Sequence, residues 1–188
     1  MRVGVSLDGV LADSQSRLAM YAKRLEINTD SLWHPRLISD EPFWAGMTAW
    51  PDVPFFIEAI QQGQHELFVL SERPASLLSV TRAWLRRKHL ELSHDHLVVN
   101  SIKRFDCRML DLDIFIDASS QVIDKFSYDR VQAIQICRNN QASDHEENHW
   151  SQDSRSSYPI IHVLKESLNY HARMHQPWSP VKMLTDEL

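Results

Sequence analysis

The stretch VGVSLDGVLADS, residues 3–14, decides the fold of this 188-residue chain. Its first four residues form a short, mainly apolar run that leads into the acidic, glycine-containing turn at Asp8, and a helical pattern follows. This order of strand, tight turn and helix is typical of the first unit of a parallel α/β sheet. Ligands of such sheets bind beyond the carboxyl ends of the strands, so the turn at Asp8 is a candidate site.

The same alternation continues along the chain. Short apolar runs predict further strands at 67–71, 97–100, 114–117 and 131–137. Amphipathic stretches between them predict helices that begin near residues 13, 52, 74, 119 and 164. We therefore predict a doubly wound α/β fold, a parallel sheet covered by helices on both faces, with a small cap inserted after the first strand and helix.

The predicted cap is residues 27–51. Too irregular for a strand-helix unit and too aromatic for a linker, it holds three prolines and Trp33, Phe43, Trp44 and Trp50. The core would then consist of residues 1–26 and 52–174.

Two further segments stand apart from the predicted core pattern. Residues 139–157 are almost entirely polar and predict a mobile loop, and residues 175–188 form a C-terminal tail. The loop contains His145, Glu146 and His149, the H-E-x-x-H spacing of zinc proteases. A helix that holds a catalytic zinc needs an apolar face, and the polar residues around this pattern do not provide one. We therefore interpret the H-E-x-x-H spacing as a chance match.

Composition argues against several classes of partner. The net charge of -5 provides no field that would gather nucleic acid or anionic lipid. No apolar run approaches the ~18 residues needed to span a bilayer, and the first predicted strand begins too early to leave room for a signal peptide. The two cysteines, Cys107 and Cys137, favour a reducing compartment. We expect a cytoplasmic protein without nucleic-acid or membrane partners.

The predicted strand ends carry four motifs that together resemble those of the haloacid dehalogenase superfamily. VSLDGVLADS resembles the first motif, whose phosphatases begin Asp-x-Asp-Gly, and LFVLSERP (67–74) resembles the second. Lys103 falls at the position of the third-motif lysine, and IFIDAS (114–119) resembles the fourth. The Arg-Pro of the second motif, TRAWL (81–85) and EPFWAGMTAWPDV (41–53) are similar to the 5'(3')-deoxyribonucleotidase branch.

The resemblance implies a role for each aligned position. In the superfamily the first aspartate attacks phosphorus, and the second, two residues later, shuttles the leaving-group proton. Here Ser6 stands at the nucleophile position and Asp8 at the acid/base position. The fourth motif keeps Asp117 for a metal, with Ala118 where a second aspartate often stands. Mg²⁺ prefers anionic oxygens, so a site left with Asp117 and Asp8 should bind it weakly or not at all.

The resemblance also implies a phosphate site and a cap pocket. Groups implied for phosphate binding are the Ser71 hydroxyl, the Lys103 ammonium, Arg73, and backbone amides in the range 7–9, including Leu7 and Gly9. Phe43 and Trp44 are candidates for an aromatic cap pocket, with core packing as the alternative. Glu72 adds a negative charge beside the expected phosphate, which argues against ordinary phosphatase action.

Three functions stay open. The first is a nucleotidase-like protein that has lost catalysis and binds a phosphate or nucleotide-type ligand in a regulatory or interaction role. The second is an active Mg²⁺-dependent phosphatase on nucleoside monophosphates or other small phosphomonoesters. The third is a partner-binding domain without a small-molecule ligand, in which cap aromatics would fill the space above Ser6.

Overall fold

A computed structural model describes residues 1–28, 31–126 and 130–136. Within these ranges a parallel sheet has five strands in the order β3-β2-β1-β4-β5. The strands are β1 (Arg2–Ser6), β2 (Glu66–Leu70), β3 (Leu97–Val98), β4 (Ile114–Asp117) and β5 (Gln132–Gln135). The predicted α/β fold with a parallel sheet is confirmed.

The helices in the described ranges follow most of the sequence signals. They are α1 (Ser14–Leu25), α2 (Pro35–Ile38), α3 (Glu41–Ala45), α4 (Val53–Gln62), α5 (Leu78–Arg87), α6 (Lys103–Met109) and α7 (Ser120–Ile123). Asp13 caps α1 by accepting a hydrogen bond from the Ser16 amide at 3.1 Å. This contact satisfies one of the amides that a helix start leaves unpaired and confirms the predicted start of α1.

Strand alternation divides the core between the two faces of the sheet. One face contributes Val3 and Val5 to a large buried cluster that contains side chains from α1, α4 and α5. The other face contributes Phe68 and Phe115 to a smaller cluster with Cys107 of α6. Side chains of successive strand residues point to opposite faces, which explains why neighbouring residues enter different clusters.

The parallel register brings three predicted site residues to one edge of the sheet. Ser6 pairs with Leu70, the last residue of β2, so Ser71 follows directly beside it. On the other side Val5 pairs with Ile116, which places Asp117 next to Ser6. Because all three strands run in the same direction, the carboxyl ends of β1, β2 and β4 form a common rim.

Helix α6 has no counterpart among the predicted elements. Its apolar residues face outward: Phe105 is 58% and Met109 is 70% exposed, as is Ile102 before them at 72%. Among its own residues only Cys107 is buried. The usual pattern of apolar residues on an inward face is therefore missing.

The segment predicted as a cap shares the main core. Leu37, Phe43, Trp44 and Met47 belong to the same buried cluster as Val3 and Val5. Backbone hydrogen bonds also tie the segment to the first turn, from Asp13 N to Thr48 O and from Trp50 N to Leu11 O. Its division from the core as a separate unit stays a prediction.

Other sequence predictions fall outside the described residues. These are the helix near 164–174, the polar loop 139–157 with its H-E-x-x-H pattern, and the tail 175–188. Among the helices that are described, none has both the length and the apolar character required to cross a membrane.

Removing the Phe115 ring should destabilise the protein strongly. Phe115 is fully buried and stacks on Phe126 with ring centroids 5.3 Å apart. We expect Phe115→Ala to lower the free energy of unfolding by about 3–5 kcal/mol, measured by urea denaturation. The control Phe105→Ala alters an exposed ring and should change it by about 0.5 kcal/mol or less. Equal losses in both variants would contradict the described position of β4.

Candidate functional site

A cleft of about 740 Å³ lies over the carboxyl ends of the strands. The structure brings six of the predicted site residues to its surface, namely Ser6, Asp8, Gly9, Ser71, Lys103 and Asp117. They come from the ends of β1, β2 and β4 and from the start of α6. This is the edge at which ligands bind in doubly wound α/β folds.

The centre of the cleft is a compact cluster around Asp117. Ser6 Oγ donates a hydrogen bond to Asp117 Oδ2 at 2.6 Å, and Lys103 Nζ lies 2.8 Å from the same oxygen. The other oxygen, Oδ1, accepts from the Ser119 amide at 2.8 Å. Both oxygens of this carboxylate, whose side chain is 3% exposed, are therefore engaged by donors of the chain itself.

Lys103 has a second carboxylate partner. Its Nζ lies 3.3 Å from Glu72 Oε2 while it also contacts Asp117. The turn before α6 sets this position, because the Ser101 amide donates to Ser71 O at 2.9 Å and Ser101 Oγ donates to Asp106 at 2.7 Å. The ammonium is thus neutralised from two sides before any ligand arrives.

Arg73 holds Asp8 from behind the cleft. Its Nε and Nη2 donate to the two Asp8 oxygens at 3.0 and 2.7 Å, a bidentate pair. The Arg73 side chain is fully buried, and its Nη1 donates to Thr81 Oγ1 at 3.2 Å. The guanidinium also lies 4.7 Å from the centroid of the Trp44 ring. Asp8 accepts on both oxygens, a poor arrangement for delivering a proton to a leaving group.

Three predicted phosphate contacts are not available in this geometry. The Leu7 amide donates to Leu70 O at 3.0 Å, and the Gly9 amide donates to Ala12 O at 2.9 Å. Arg73 uses its guanidinium on Asp8 and Thr81 and does not line the cleft. Each of these donors already has a partner within the fold, which argues against the expectation that they bind phosphate.

Ser71 and Lys103 are the predicted phosphate-binding residues whose side chains line the cleft; Gly9 also lines it, with its amide paired to Ala12 O. Ser71 Oγ accepts a hydrogen bond from the Arg73 amide at 3.2 Å, and the structure gives no hydrogen bond donated by it to the described residues. A hydroxyl can donate while it accepts, so Ser71 retains a donor for a ligand.

The aromatic wall of the cleft differs from the predicted cap pocket. Phe43 and Trp44 are completely buried and do not reach the cleft, which is lined instead by Trp33 and Trp50. Trp44 is held in the core by a 2.7 Å hydrogen bond from its Nε1 to Leu37 O. Trp33, 38% exposed, stacks on Trp44 at 6.1 Å and forms the outer layer. Core packing, the alternative considered from the sequence, is confirmed for Phe43 and Trp44.

The residues present do not fit a magnesium ion. Position 6 supplies a neutral hydroxyl and position 118 a methyl group, which leaves Asp117 as the carboxylate at the metal position. Its oxygens face Lys103, Ser6 and the Ser119 amide, so a cation would meet the positive ammonium at the carboxylate it needs. Within the described ranges no three His, Cys, Asp or Glu side chains are grouped to hold a metal ion.

The charge balance of the cleft is negative. Asp8, Glu72 and Asp117 line it with carboxylates, and Lys103 is the lysine among the lining residues. The guanidinium of Arg73 lies behind Asp8 and offsets one of these charges. Together, the three carboxylates, Lys103 and Arg73 carry a net charge of about -1, which disfavours the entry of an anion.

Comparison with known proteins identifies similar folds. No protein-family model matches this chain, and no curated protein sequence matches it. The structure of an L-2-haloacid dehalogenase matches with a TM-score of 0.53 and 13% identity, covering 88% of this chain and 98% of that one. Another dehalogenase structure matches with a TM-score of 0.50 and 12% identity, covering 78% of this chain and 87% of that one.

The class C acid phosphatase of Bacillus anthracis also matches, with a TM-score of 0.49 and 19% identity. The match covers 61% of this chain and 50% of the phosphatase, so the chain spans about half the length of that protein. Taken with the parallel sheet, the two dehalogenase matches show that the chain has a haloacid dehalogenase-like α/β fold.

The buried Arg73–Asp8 pair should contribute far more to stability than a surface pair. Arg73→Met would leave the Asp8 carboxylate, 13% exposed, without its partner, and we expect the free energy of unfolding to fall by about 3–5 kcal/mol. A double-mutant cycle with Asp8→Asn should give a coupling energy above about 1 kcal/mol.

The matched control is the exposed Arg2–Glu66 pair, whose atoms are 3.1 Å apart and whose side chains are 38% and 43% exposed. The same cycle there, with Arg2→Met and Glu66→Gln, should give less than about 1 kcal/mol. Equal coupling energies in the two cycles, measured by urea denaturation, would show that the Arg73–Asp8 geometry is not as described.

Proposed function

We propose that this protein is a haloacid dehalogenase superfamily homologue related to the 5'(3')-deoxyribonucleotidase branch that no longer transfers phosphoryl groups. Its cleft binds a small polar ligand, and the protein acts through that binding in a regulatory or interaction role. The four motif positions support the relationship, because Ser6, Ser71, Lys103 and Asp117 meet at one rim of a similar fold.

The observation that carries this proposal is the closed cluster of Ser6, Lys103 and Asp117. A phosphatase of this kind needs an anionic nucleophile and a cation that offsets charge on the transferring group. Here the nucleophile position holds a hydroxyl that donates its proton to Asp117 at 2.6 Å. Removing the nucleophile from a catalytic unit can lower the rate about a million-fold.

Neither remaining member of the site replaces the lost nucleophile. Both oxygens of Asp8 accept hydrogen bonds from the Arg73 guanidinium, and this bidentate pair fixes the carboxylate in place. Lys103 Nζ is engaged by two carboxylates, Asp117 at 2.8 Å and Glu72 at 3.3 Å, and both contacts hold it within the cluster. These contacts favour an inert site over the alternative of an active phosphatase.

An open cleft favours ligand binding over the ligand-free alternative. Its volume of about 740 Å³ lies in the range of small-molecule sites, and Trp33 and Trp50 supply aromatic surface beside hydroxyl and carboxylate groups. Phe43 and Trp44, which could have filled the space above Ser6, pack in the core. A partner-binding domain without a ligand would have no need to maintain this space.

Restoring the two missing carboxylates should create a metal site. We expect Ser6→Asp together with Ala118→Asp to bind Mg²⁺ in isothermal titration calorimetry, because the new carboxylates would compete with Lys103 for the cation position next to Asp117. Wild type should show no Mg²⁺ binding and no Mg²⁺-dependent release of phosphate from deoxynucleoside monophosphates.

The control is Ser6→Asn with Ala118→Asn, which adds similar side chains without charge and should not bind the metal. If the variant with Ser6→Asp and Ala118→Asp also fails to bind Mg²⁺, the alignment of the fourth motif is wrong. Brisk Mg²⁺-dependent turnover by purified wild type, abolished by Asp8→Asn, would refute the proposed loss of catalysis.

A further inference from the structure

We propose that Glu72 excludes phosphate-bearing ligands from the cleft, so that the ligand of this site is uncharged where it meets Lys103. The inference rests on the proposed function, because it takes the cleft as the ligand site, and it narrows the class of ligand. It assigns a specificity-determining role to a residue that none of the four motifs requires.

The Glu72 carboxylate contacts the ammonium that an entering phosphate would need as its partner. Glu72 Oε2 lies 3.3 Å from Lys103 Nζ, at the open side of an ammonium whose other partner is Asp117 at 2.8 Å. Glu72 is 47% exposed and Asp117 is 3% exposed. Of the two carboxylates that pair with Lys103, Glu72 is therefore the one exposed to the solvent from which a ligand arrives.

Lys103 is already paired with Glu72 and Asp117, and no other positively charged residue lines the described part of the cleft. The amides of Leu7 and Gly9 donate to backbone carbonyls, and the Arg73 guanidinium is buried on Asp8. An entering phosphate would meet a doubly paired ammonium and three carboxylates, with neutral groups such as the Ser71 hydroxyl as its hydrogen-bond donors. At such distances the repulsion between like charges is larger than the net gain from an individual neutral hydrogen bond.

Glu72 rather than Asp117 or Asp8 is assigned this role because the other two have structural partners. Asp117 accepts from Ser6 and Ser119, and Asp8 accepts from Arg73, so the surrounding fold holds them. Glu72 has the Lys103 contact as its ion pair. Its charge is thus the one that can be removed without leaving a buried donor unpaired.

The class of ligand follows from the groups that remain. Ser6, Ser71 and Glu72 offer hydroxyl and carboxylate oxygens to the cleft, and Trp33 and Trp50 offer aromatic surface. Carboxylate acceptors bind ligand hydroxyl or amino groups, and aromatic rings stack on planar rings. An uncharged polar molecule with a planar ring, such as a nucleoside, fits these groups, whereas its phosphomonoester does not.

The test is the binding of inorganic phosphate to wild type and Glu72→Gln by isothermal titration calorimetry at constant pH and ionic strength. We expect Glu72→Gln to bind phosphate at least about tenfold more tightly than wild type, because glutamine keeps the shape but removes the charge. Adding Lys103→Met to Glu72→Gln should abolish this gain in phosphate affinity. Thermal unfolding of each variant establishes that it is folded, and the exposed position of Glu72 makes its substitution mild.

Glu66→Gln is the matched control. Glu66 begins β2, whose other end leads to Glu72, and its side chain is 43% exposed and ion-paired with Arg2. The substitution removes the same charge from the chain at the opposite edge of the sheet, so phosphate affinity should remain at the wild-type value.

Equal phosphate affinity in wild type and Glu72→Gln would overturn the inference, as would the same gain in Glu66→Gln. Either result would leave the proposed function intact, because an inert site can still bind phosphate. Conversely, Mg²⁺-dependent turnover by wild type would refute the proposed function through a different measurement.

Discussion

The buried guanidinium of Arg73 is the constraint on which the site depends. It joins Asp8 after β1 to Thr81 in α5, and it stacks on Trp44 of the segment predicted as a cap. A charge removed from water in this way must be paired, and the bidentate contact with Asp8 meets that requirement. The consequence is that Asp8 serves the fold, so its retention in the sequence does not by itself indicate retained proton transfer.

The neutral side chain at position 6 determines the electrostatics of the rest of the cleft. Ser6 donates a hydrogen bond to Asp117 at 2.6 Å, where a carboxylate would repel it. Lys103 then pairs with Asp117 directly, in the position from which a metal would otherwise approach. Ser6 at the end of the first strand thus belongs to a cluster whose polar groups are already paired within the chain.

The sequence predicted the location of the site better than its contacts. Strand patterns and parallel register were sufficient to bring Ser6, Ser71 and Asp117 to one rim, because these depend on local hydrophobicity and chain direction. The partner of Arg73 could not be predicted in this way, since its hydrogen bond with Asp8 joins residues that are 65 positions apart. Burial likewise separates Trp44 in the core from Trp33 at the cleft, although both are tryptophans in one irregular segment. Helix α6 was missed because its apolar side chains face outward.

A neutral side chain at position 6 avoids a repulsion that a second carboxylate beside Asp117 would create. Two carboxylates at positions 6 and 117 would destabilise the empty site, because their mutual repulsion is relieved when a cation binds. With Ser6 there is no repulsion between carboxylates at positions 6 and 117. Instead, the Ser6 hydroxyl donates a hydrogen bond to the Asp117 carboxylate. A hydroxyl at position 6 is therefore compatible with a stable fold, since active sites often trade stability for chemistry. Under the proposed function, such a cleft would select its ligand by shape and hydrogen bonding, with Glu72 as the exposed charge that disfavours phosphate.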